Sequence, residues 1–253
     1  MTDPARPVPA LPGVLVTALV PDLGTAVAAA ALVAGAVHAG SNVAAMVPVE
    51  CGVDEACAPG SAGALLRWAA GHLDDPRHVT PLAFDGETGP LLAAQAAGVL
   101  PHLASLDRAR AAMGEGRTLL VACDTIGPLE PVTPSLAPLT LAARWGLALV
   151  AAVPVRATAI GEARALRALA DAHDVPMAGV VLVPPTLRRG SAHGEGHAAW
   201  DADAVATLRT TLEAMLDRPV AALGPVEDVH DRAVLRAAAQ AAGVGALLPR
   251  ATS

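Results

Sequence analysis

Residues 13–28 read Gly13-Val14-Leu15-Val16-Thr17-Ala18-Leu19-Val20-Pro21-Asp22-Leu23-Gly24-Thr25-Ala26-Val27-Ala28, and this stretch decides the fold. The run 14–20 is apolar throughout, as expected of a first strand buried on both faces of a sheet. Pro21 to Gly24 then turn the chain directly into an alanine-rich helix, Thr25 to Ala39. Strand, short glycine-containing turn and helix form the layout of a P-loop, in which amides at a helix N-terminus cradle phosphate oxygens. That chemistry also needs a lysine for the terminal phosphates and a Ser or Thr hydroxyl for magnesium. Those places hold Thr25 and Ala26. Gly24 and Thr25 are what is left of a cofactor-binding loop: the scaffold is kept and the chemistry removed.

Outward from this segment, short apolar runs alternate with helical patterns. The runs 43–49, 118–123, 147–153, 178–183 and 220–223 predict further strands. Helical spacing predicts helices near 25–39, 60–71, 90–98, 102–113, 138–145 and 159–173. In the last of these, Ile160, Ala163, Leu166, Leu169 and Ala170 make one stripe, with Glu162, Arg164, Arg167 and Asp171 outside it. Asp201 with Asp203, and Asp228, open two more helices, since Asp at a helix start satisfies free amides and suits the helix dipole. Alternation of this kind predicts an α/β protein, a three-layer parallel sheet of the P-loop NTPase type with helices on both faces. The proline-rich residues 1–13 read as a disordered N-terminal arm, and 14–250 as a single domain.

Composition narrows the function classes. The net charge of −7 argues against a nucleic-acid partner, which needs a basic face. A mean hydropathy of +0.48 comes mostly from alanine. The longest apolar stretch of the first helix, Ala26 to Val37, is far short of the ~20 residues a membrane span needs. No secretory signal opens the chain, so the expectation is a cytoplasmic protein with no membrane partner.

Cys51, Cys57 and Cys123 are an odd count, which reads as small buried hydrophobes and not a disulfide framework. Cys51 and Cys57 lie near Glu50, Asp54 and Glu55, but the spacing fits no zinc pattern. His193, Glu195 and His197 fall in a glycine-rich loop and lack the helical spacing of a metalloprotease motif. No metal site is expected.

The segment Leu15-Val-Thr-Ala-Leu-Val-Pro-Asp-Leu-Gly-Thr-Ala-Val-Ala28 resembles the opening of the dethiobiotin synthetases. In that family a strand ending Val-Thr runs into Gly-Thr-Asp-Thr-x-x-Gly-Lys-Thr and an alanine-rich helix. Ala44-Ala-Met-Val-Pro-Val-Glu-Cys-Gly52 is similar to its Lys-Pro-Val-x-Ser-Gly segment, and Pro81-Leu-Ala-Phe84 to its Pro-Tyr-x-Phe. Leu119-Leu-Val-Ala-Cys123 resembles the strand ahead of its Glu-Gly-Ala-Gly-Gly. Thr140 to Val150, Met177 to Val183 and Val220 to Pro225 are similar to later units, so the resemblance spans about residues 14–225.

The departures fall on the chemistry. The resemblance places the first loop Gly at Ala18, a Thr at Pro21, the lysine at Thr25 and the magnesium-holding Thr at Ala26. The second lysine falls on Val47, the substrate-contacting Ser on Cys51 and a magnesium-binding acid on Ser61. The Glu of the next motif falls on Ala122, with Asp124 close by, and the adenine-reading Asn falls on Val183. In their place stand Asp22 and Glu50, which repel a triphosphate. The expectation is a diverged family member that binds neither ATP nor magnesium and makes no dethiobiotin. It keeps the fold as a binding or regulatory protein, with a small-molecule ligand cleft at Asp22, Glu50 and Cys51. Two rivals stand beside it. One is an active ATP-dependent carboxylating cyclo-ligase that recruits Arg156, Arg188 or Arg189. The other is a different enzyme with Cys51 or Cys123 as nucleophile. Family members are typically dimeric, which together with the low charge predicts a homodimer.

Overall fold

The structure is a computed structural model that describes residues 11–71, 74–86, 88–185 and 200–249. In chain order the elements are β1 (Gly13–Thr17), α1 (Leu23–His38), β2 (Val43–Met46), β3 (Val49–Cys51), α2 (Ala62–Ala69), α3 (Pro76–Val79) and β4 (Leu82–Phe84). Then follow α4 (Pro90–Ala96), α5 (Leu103–Gly114), β5 (Leu119–Cys123), α6 (Pro138–Trp145), β6 (Ala148–Pro154) and α7 (Ala159–Ala172). The chain continues with β7 (Met177–Val183), α8 (Ala202–Leu216), β8 (Val220–Ala222), α9 (Arg232–Ala242) and a 3₁₀ turn, Val244–Leu247.

Six strands form one parallel sheet in the order β2-β5-β1-β6-β7-β8. β1 is central, with Val16 opposite Cys123 of β5 and also opposite Val150 of β6. The chain first builds toward β2 and later toward β8, so the strand order reverses at β1. Crevices at the C-terminal ends of strands beside such a reversal are the usual ligand sites of open α/β sheets.

Alternation along the strands feeds two cores. Val14, Val16, Val121, Cys123, Val150 and Val181 point to the face covered by α1, α2 and α9. Leu15, Leu120, Ala122, Leu149, Val180 and Leu182 point to the face covered by α5, α6, α7 and α8. The architecture is therefore the three-layer α/β sheet expected from the sequence. Each fully buried Leu or Val contributes about 1.5–3 kcal/mol, and here they come from both faces of every central strand.

α1 lies in the middle of its layer, with Ala26, Ala28 to Val33 and Ala36 all buried. It packs on the sheet and against α2 and α9 together. Only small side chains let a helix be covered on so many sides, which accounts for its run of alanines. At Gly35 an added Cβ would meet Val244 Cγ2 at 3.3 Å and Ala239 Cβ at 3.6 Å.

Four sequence expectations are corrected. β1 ends at Thr17 and not at 20, because its last ladder partner is Ala151; Leu19 and Val20 are exposed loop residues. α1 begins at Leu23, two residues before the predicted Thr25, so Gly24 and Thr25 belong to its first turn and Asp22 is its N-cap. The run 43–49 splits into β2 and β3 at Pro48, which has no N–H to donate to a ladder. β3 pairs instead with β4 in a separate two-stranded parallel sheet. The last helix starts at Arg232 with Asp231 as its cap, while Asp228 bonds the His230 amide in the turn before it. Of the predicted arm, Gly13 is the first residue of β1 and residues 1–10 lie outside the described residues. No helix among the described residues is long and apolar enough to cross a membrane.

Candidate functional site

The turn after β1 is organised by one carboxylate. Asp22 Oδ1 accepts from Gly24 N at 2.9 Å, and Asp22 N donates back to Thr25 Oγ1 at 3.3 Å. This is a capping box, which satisfies amides that a helix N-terminus otherwise leaves open. Thr25 is buried, and an added Cβ on Gly24 would stand 3.1 Å from Val183 Cγ2. The β1–α1 turn is thus packed inward, with an acidic side chain of the protein at its amides.

A second carboxylate repeats the arrangement. Glu50, in the middle of β3, reaches the N-terminus of α2, where Ala62 N donates to Oε1 at 2.7 Å and Gly63 N to Oε2 at 3.1 Å. Ser61 is the N-cap of that helix, and its Oγ accepts from Ala64 N. Gly63 has no Cβ because one would fall onto Thr80 Oγ1. Glu50 is 5% exposed, and burial pushes its carboxyl up against the pull of the two amides.

These carboxylates share a cleft of about 350 Å³ at the C-terminal edge of the sheet. Asp22, Glu50 and Cys51, the three residues expected there, line it together. Ser61, Thr125, Leu65 and His230 complete its walls. His230 comes from the β8–α9 turn and meets the edge of Trp68, whose ring also lies under the Arg232 guanidinium at 5.2 Å. No arginine is among the described residues lining the cleft. The chain as a whole contains no lysine: all 17 of its basic side chains are arginine.

Asp124 follows the last residue of β5, level with the turn after β1, and is 3% exposed. Its Oδ2 accepts from Thr17 Oγ1 at 2.6 Å, and Oδ1 accepts from Ile126 N at 2.9 Å and Gly127 N at 3.0 Å. Burial pushes its carboxyl up in spite of these bonds. These three bonds tie the β5 end to β1 and to its own following turn. A smaller apolar cavity beside it is lined by Leu15, Leu106, Cys123 and Leu141 among others.

The two cysteines weighed as nucleophiles are poor ones in this setting. Cys123 is buried within the sheet, and desolvation with the Asp124 charge holds its thiol well above the usual range. Cys51 lines the cleft, but burial, then Glu130 and Glu50, push its thiol up as well. A thiolate is the reactive form, and both settings disfavour it. Arg156 is bonded through Nε to Glu162 Oε1 at 2.8 Å, and Glu162 also accepts from Thr158. That bond raises the Arg156 pKa, with a smaller contribution from the Asp22 charge nearby. Arg188, Arg189, His193, Glu195 and His197 lie outside the described residues. Among the described residues no group of three or more His, Cys, Asp or Glu could hold a metal.

Compared with protein-family models and with curated proteins, the sequence returns no match.

The buried Asp124 gives a pH test. A carboxyl whose native pKa is raised binds its proton more tightly folded than unfolded. Its protonation therefore stabilises the fold, and that stabilisation is lost as pH rises from the ordinary value of 3.8 through the native one. Asp124→Asn removes this linkage while Oδ1 still accepts from Ile126 and Gly127. Urea unfolding at about pH 5 and about pH 7 should show the wild type gaining more stability at the lower pH than the variant does.

Proposed function

We propose that this protein is a diverged relative of the dethiobiotin synthetases that binds a small molecule in the cleft between α1 and α2 without nucleotide or magnesium. The observation that carries the reading is the pair of carboxylates at the two helix N-termini. A phosphate would have to displace Asp22 from Gly24 N, and would do so beside a second negative charge at Glu50. A helix N-terminus offers only about half a positive charge, so a fixed carboxylate already satisfies it. Phosphoryl transfer depends on cations that neutralise developing charge, and a chain without lysine has no Walker-type cation to place there.

The active cyclo-ligase reading needs those cations from arginine. Arg156, whose pKa the Asp22 charge helps to raise, is engaged with Glu162 and does not line the cleft. Asp124 is already engaged by Thr17 and two backbone amides. The binding-protein reading is therefore favoured, with cytoplasmic residence as part of it. Calorimetry with magnesium–ATP tests it, joined to growth rescue of a strain lacking dethiobiotin synthetase. No heat of binding and no rescue are expected. Micromolar affinity together with rescue would overturn the proposal.

The same reading includes a homodimer. Leu19 and Val20 of the β1–α1 loop, Leu129 of the β5–α6 loop and Leu92 of α4 are all exposed, up to 59% for Leu92. Pro21 Cδ lies 3.9 Å from where a Gly127 Cβ would sit, which brings the first two loops side by side. A second copy covering these side chains would remove an apolar rim from water. Light scattering should give the mass of two chains, and Leu92→Arg with Leu129→Arg should give one. A monomeric wild type at micromolar concentration would contradict the dimer.

A further inference from the structure

We draw no further inference here: the strongest candidate, the exposed apolar patch of Val99 and Leu100 in the turn between α4 and α5, has nothing in the structure to show what covers it.

Discussion

The hydrogen bond from Gly24 N to the Asp22 carboxylate is the interaction on which the rest of the site depends. It starts α1 two residues early, and it puts a negative charge where a phosphate-binding scaffold presents its amides. With it, Leu19 and Val20 lie exposed in the loop before the helix, and Thr25 turns inward to complete the capping box. Glu50 does the same for α2 from the opposite wall. The N-terminal amides of both helices that frame the cleft thus donate to acids that line the same space. On the proposed reading, these acids make the cleft exclude anions.

The buried helix fixes the scaffold around the cleft. α1 is packed between the sheet, α2 and α9 through alanines, and Asp124 ties the end of β5 to Thr17 of β1. Neither feature needs a nucleotide. Both fix where the β1–α1 turn sits, so the position of the cleft is set by packing, while its preference for a ligand is set by a few side chains around it.

The layer architecture was legible in the sequence because strands buried on both faces leave continuous apolar runs, and helices leave stripes. The failures were local. A run of apolar residues continues past Thr17, and only the end of pairing with β6 shows where the strand stops. Pro48 could have marked the break between β2 and β3, since proline removes a ladder donor, yet the run on either side looked unbroken. Asp22 could have been read as an N-cap, which would have moved the helix start. Asp22, Glu50 and Cys51 were found because they fell within motif positions. His230 and Thr125 came from segments with no motif, and tertiary contact alone brings them to the cleft. The lack of lysine was visible as a simple count and is the plainest sequence support for the proposed loss of the loop chemistry.

The most direct test of the account follows the amides themselves. In a ¹⁵N–¹H correlation spectrum of the full chain, the Gly24, Ala62 and Gly63 resonances report on the two occupied helix N-termini. Addition of magnesium–ATP should leave all three unmoved, because Asp22 and Glu50 hold them. A saturable shift of Gly24 on nucleotide addition would show that phosphate displaces the Asp22 carboxylate, and would contradict the central claim.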